Sequence, residues 1–119
     1  MTVEVHQERP DLLVIRFRGQ MKKREFEAIQ DDNEERIKQG DGLTLLCLFE
    51  DFEGWDSGDW ADPKIHEFTF RHEDDVARIA LVCADEAWKD PLLTFAGGGF
   101  TSRDVRWFRT EDEARAWIP

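Results

Sequence analysis

The chain has 119 residues, 40% hydrophobic and 36% charged, with a net charge of −11. One domain spanning 1–119 is the expectation for that length, and the apolar fraction excludes wholesale disorder. The acidic balance argues against nucleic acid and anionic membrane surfaces as partners, because both repel it over a Debye length of about 10 Å at 0.1 M salt.

The opening stretch alternates, with Val3 and Val5 apolar against Glu4 and His6. Arg9-Pro10-Asp11 punctuates it, and Leu12 to Arg18 follows as a second strand ending at Gly19, so the pair reads as a hairpin. From Lys22 the period changes: Phe26, Ile29, Asn33 and Ile37 recur at helical spacing, with Asn33 expected at the helix edge and Gly40 and Gly42 as the stop. Leu43 to Phe49 is nearly continuous apolar sequence, the pattern of a strand covered on both faces, and Arg78 to Cys83 repeats it. A helix is expected from about Trp60 to His72, on Ile65, Phe68 and His72. Another is expected from about Glu86 to Phe95, on Trp88, Leu92 and Phe95, with Asp90 as a cap before Pro91 and Gly97-Gly98-Gly99 as its end. Val105 to Phe108 reads as a short strand. Thr110 to Glu113 fits a capping box opening a last helix whose apolar side is Ala114, Trp117 and Ile118.

The predicted order is β-β-α-β-α-β-α-β-α: an α/β fold with a single mixed, mostly parallel sheet of four to five strands flanked by helices. Cys47 and Cys83 lie inside apolar runs and are expected as buried free thiols. No basic and apolar leader opens the sequence and no run is long enough to span a membrane, so a cytoplasmic location without membrane insertion is expected.

The densest chemistry lies after the third strand, where Glu50, Asp51, Glu53, Asp56, Asp59 and Asp62 stand with no basic residue among them. Ligands of open α/β sheets bind at the carboxyl ends of strands, and this loop is such an end. Three readings of it rest on residue chemistry: a solvated loop whose acids cap the next helix while Phe52 and Trp55 pack on the core, a divalent cation site, or a carboxylate pair for acid–base work. The acid spacing matches no calcium loop, and no nucleophile accompanies the carboxylates. His6, His66 and His72 make no metal motif, Cys83 has no basic neighbour to lower its pKa, and Gly97-Gly98-Gly99 lacks the context of a phosphate loop. No catalytic site, metal site or cofactor is therefore expected. Phe52, Trp55 and Trp60 bracket the strand end, and at least one of them is expected to line a groove that contacts a ligand or partner.

Several elements carry a family likeness. They are Gly19 before a helix with Glu25-Phe26, Leu45-Leu46 running into Asp51-Phe52-Glu53-Gly54-Trp55, Trp60, Arg71-His72, and Val76 to Val82. Trp88, Val105-Arg106-Trp107-Phe108 and Glu111 to Trp117 complete the set. On these the chain resembles the SpoIIAA-like family of small bacterial proteins, within the wider STAS/Sec14 group. The resemblance implies a mixed sheet of four or five strands flanked by helices. STAS relatives acting as anti-anti-sigma factors bind a partner kinase and are phosphorylated on a serine at the start of the helix after the third strand, in a motif like Asp-Ser-Ser-Gly. Asp56-Ser57-Gly58 stands near that place, one serine short, which makes Ser57 a candidate regulatory phosphorylation site. Sec14-type relatives enclose lipids between sheet and helices. The expected function is a non-enzymatic binding domain whose partner is a protein, a second copy of itself included. The alternative is a carrier or sensor of a small apolar ligand held between sheet and helices.

Overall fold

The computed structural model describes residues 3–39, 42–58, 60, 75–97 and 104–119. The expected helix from about Trp60 to His72 lies, after its first residue, outside the described residues, as do His66, Gly98 and Gly99. The described elements run β1 (Val3–Arg9), β2 (Leu12–Arg18), α1 (Lys23–Gln39), β3 (Leu43–Glu50), β4 (Val76–Cys83), a 3₁₀ turn (Glu86–Trp88), α2 (Lys89–Gly97), β5 (Asp104–Phe108) and α3 (Glu111–Trp117).

The five strands form one sheet in the order β1-β2-β3-β4-β5. β1 and β2 are the antiparallel hairpin, turning at Pro10 and Asp11, and β2, β3, β4 and β5 are parallel to one another. Side chains alternate across the sheet. Leu13, Ile15, Phe17, Leu45, Cys47, Phe49, Ile79 and Leu81 point to one face and pack under Ile37 of α1 and Leu92 of α2. Leu12, Val14, Leu46, Leu48, Ala80 and Val82 point to the other, where Ala114, Trp117 and Ile118 of α3 and its flank cover them. Both faces are therefore covered, as the apolar runs imply, but unequally. Parallel strands laid down in sequential order with right-handed crossovers place their connecting helices on the same side. Among the described residues the opposite side is covered by α3, of seven residues, and its flanks.

Two local details differ from the sequence reading. Asn33 is not at a helix edge: it is buried, its Nδ2 donates to the Ile29 carbonyl at 2.9 Å, and its Oδ1 accepts from Arg36. A polar side chain that satisfies itself on its own helix can occupy a core position. Asp90 is not a cap but lies inside the first turn of α2. The cap is Asp85, whose carboxylate accepts from Ala87 N–H and opens the 3₁₀ turn that leads into α2. Thr110 caps α3 as expected, accepting from Glu113 N–H. Cys47 and Cys83 are free and buried, and burial pushes the Cys47 thiol up to about 12. Among the described residues no helix is long and apolar enough to cross a membrane.

Leu46 has no exposed surface, so Leu46→Ala should cost about 2–5 kcal/mol in a denaturant titration. The net charge of −11 is held within a Cα radius of gyration of 13.1 Å. Raising salt from 0.01 to 0.1 M shortens the screening length from about 30 Å to about 10 Å. The melting temperature should therefore rise over that range, but only by the equivalent of roughly 1 kcal/mol, because exposed ion pairs weaken at the same time and offset part of the gain. A flat or falling value would show that attractive pairs outweigh the repulsion.

Candidate functional site

The loop that follows β3 is not loose. It continues the parallel ladder of β2 and β3 past the ends of both strands. Gly19 N–H donates to Glu50 C=O, Glu53 N–H to Gly19 C=O, Met21 N–H to Gly54 C=O at 2.8 Å, and Asp56 N–H to Met21 C=O at 3.0 Å. Met21 and Trp55 form a bridge within this extension. Gly54 takes φ 88°, and a Cβ there would lie 2.8 Å from the Trp88 ring. Glycine is thus required both for the left-handed backbone and for the approach of the ring.

Asp56 ties the loop together. One carboxylate oxygen accepts from Lys23 N–H at 3.3 Å, at the first residue of α1. The other accepts from Gly58 N–H at 3.1 Å and from the Trp60 indole at 3.0 Å. Partial burial pushes this carboxyl up, but the Gly58 and Lys23 amides and the Trp60 indole together hold it below its ordinary value. Asp56 thus caps the preceding helix, α1; the helix that the loop acids were expected to cap lies outside the described residues. The apparent absence of basic partners also disappears in space. Arg16 and Arg18 of β2 both bind the Glu50 carboxylate, Arg18 through Nε at 3.0 Å.

The three expected aromatic residues come together. Phe52 is buried and meets Trp55 at 5.4 Å between ring centroids, and Trp55 and Trp60 both meet Phe95, at 5.5 and 5.7 Å. Phe26 and Trp88 complete the cluster, Phe26 against Trp60 and Trp88 against Phe52 and Trp55. The sequence reading of the site did not include Phe26, Trp88 or Phe95, although the stripes on α1 and on the Glu86 to Phe95 segment contained them. The Trp55 indole N–H is buried and has no hydrogen-bond partner among the described residues. Ser57 is exposed. Its neighbour Asp56 accepts from Lys23 N–H, which places Ser57 beside the first turn of α1; the expectation put it at the start of a helix following the loop. That following segment lies outside the described residues. Among the described residues no group of three or more His, Cys, Asp or Glu side chains is arranged to hold a metal ion, and His6 is exposed on β1.

The family model for SpoIIAA-like proteins matches residues 12–119. The chain belongs to the SpoIIAA-like family. A solved SpoIIAA-like-fold protein of uncharacterised role from Shewanella loihica superposes with a TM-score of 0.69 at 17% identity, covering 98% of this chain and 92% of that one. The anti-sigma factor antagonist SpoIIAA in its unphosphorylated form gives 0.62 at 16% identity, over 98% of this chain and 96% of that one. The Bacillus cell fate determinant SpoIIAA in its phosphorylated form gives 0.61 at 17% identity, over 98% and 99%. At these identities the superpositions show a shared fold. No curated protein matches the chain in sequence. In this SpoIIAA-like chain the candidate site is a hydrogen-bonded, aromatic-backed loop at the carboxyl end of β3, with Asp51, Glu53 and Ser57 exposed on it.

The Asp56 cap has a pH signature. Its folded pKa lies below the ordinary 3.8, so the ionised carboxylate adds stability that is complete above that value and is lost as pH falls through the folded one. Asp56→Ala should lower the melting temperature at neutral pH, and the gap from the parent should close in acid. A gap independent of pH would show that the cap does not act through its charge.

Proposed function

We propose that this chain is a non-enzymatic, cytoplasmic, single-domain binding protein. It acts by docking on a protein partner through the surface formed by residues 51–58 and the first turn of α1. The observation that carries this reading is the ladder extension from Gly19 to Asp56, which holds exposed polar side chains on a fixed backbone. Preorganised backbone lowers the ordering cost of association. Family membership and the likeness to an anti-sigma factor antagonist support the same class of function.

Ser57 is the position on this surface suited to control by phosphorylation. It is exposed beside the first turn of α1, and the Lys22 ammonium acts on its neighbour Asp56. SpoIIAA itself is known in phosphorylated and unphosphorylated forms. A phosphate on Ser57 would gain from the helix N-terminus and Lys22 and would lose to the Asp56 charge.

A second reading, the carrier of a small apolar ligand, is favoured by one observation: the buried, unpartnered indole N–H of Trp55 within the aromatic cluster. An acceptor on a bound molecule would satisfy it. The contacts of Phe52, Trp55 and Trp60 with one another's neighbours support instead a core that the rings fill themselves.

A photocrosslinking residue at Ser57, with a control at Asp112 on α3, should capture a defined protein partner in the host cell from the first position and not from the second. Equal capture at both, or none at Ser57, would sink the docking surface. Native mass spectrometry of the same protein should show no retained small molecule. One that is lost in Trp55→Phe would establish the carrier reading.

A further inference from the structure

We propose that α3 is a strap that opens off the second face of the sheet on its own, hinged at Arg109 and Thr110, while the strands and the α1–α2 side stay closed. A helix of seven residues is too short to persist by itself, so α3 exists only while docked. The docking is thin. Ala114 is its one fully buried residue, and Trp117 and Ile118 are partly covered. The Trp117 ring is met by two guanidinium groups, Arg106 at 5.2 Å and Arg78 at 6.0 Å from its centroid.

Trp117 also packs on the Phe108 ring of β5, at 5.5 Å between centroids, and the other anchors are ionic or polar and lie at the surface. Arg115 forks onto the Glu8 carboxylate of β1 at 2.8 and 3.0 Å and reaches Glu111 at 2.7 Å, and Arg9 donates to the Pro119 carbonyl at 3.0 Å. The Arg115 and Glu8 side chains each keep 36% of their surface exposed. A cleft of about 160 Å³ separates the end of the strap from the hairpin, lined by Glu8, Arg9, Leu12, Arg115, Ile118 and Pro119. The face underneath is a continuous apolar stripe of Leu12, Val14, Leu46, Leu48, Ala80 and Val82. A segment with few buried contacts and exposed polar anchors opens at lower free energy than the core it covers.

The two sides of the molecule then respond to salt with opposite signs. Screening relieves the net repulsion that burdens the whole fold, but it weakens the Arg115–Glu8 and Arg115–Glu111 pairs that hold α3. Hydrogen exchange read by mass spectrometry on the parent protein and on Glu8→Gln tests this. Glu8 is exposed on the hairpin, so the variant leaves the core intact. In Glu8→Gln, amides of 112–118 should exchange about 2–5-fold faster. Added NaCl should speed the same peptide in the parent, while peptides of 43–50 and 76–83 hold or slow. The proposal is overturned if 112–118 exchanges as slowly as β3 and β4, or if neither the substitution nor salt moves it.

Discussion

The handedness of the crossover between parallel strands is the constraint on which the rest of this structure depends. Four strands, β2 to β5, follow one another in sequence and in space. Right-handed connections between such strands send their helices to one side, and α1 and α2 do share a side, where Ile37 and Leu92 are buried. The sheet then has a thick side and a thin one. Its central strand still needs cover on both, since Leu46 and Leu48 face away from the helices on the thick side. α3 supplies that cover with one buried alanine and a tryptophan flanked by arginines.

The same parallel pairing builds the loop. The register that sets Phe17 opposite Phe49 and Arg18 opposite Glu50 runs on through Gly19, Met21, Gly54 and Asp56. Backbone hydrogen bonds that would otherwise face water are satisfied between two connecting segments. Asp56 then joins this extension to the helix that precedes it and to an aromatic side chain that follows it. An acidic run becomes a scaffold: Glu50 is neutralised by two arginines, Asp56 is consumed by capping, and Asp51, Glu53 and Ser57 remain to meet solvent.

This division suits recognition. The surface proposed for docking combines a hydrogen-bonded backbone, an aromatic backing and a few exposed polar groups. The thin side has a different character, because its cover is held by charges at the edge and its apolar stripe is closed only while α3 stays down. One sheet therefore presents a fixed face and a removable one.

Local pattern sufficed wherever a residue's role was decided by its near neighbours in the chain. The β1–β2 hairpin, the continuous apolar run of β3, the stripe of α1 and the Thr110 cap could all be read from spacing, because periodicity and caps are interactions over a few residues. The family likeness also rested on short runs, Phe52 to Trp55 among them. What the tertiary structure decided were contacts over long separations. Asn33 is the local exception: it looked like an interruption in a stripe, but it is buried because its partners are Ile29 and Arg36 on its own helix, a pairing that spacing alone does not reveal. Asp56 stood among acids that pointed forward to the next helix, and one of its partners is Lys23, thirty-three positions back. Glu50 appeared unpaired until β2 brought Arg16 and Arg18 beside it. Sequence by itself determined the five strands, the α1 stripe and the last helix, and which residues are apolar enough to be inside. Strand register and crossover hand determined who meets whom, because those partners are chosen by the sheet rather than by the chain.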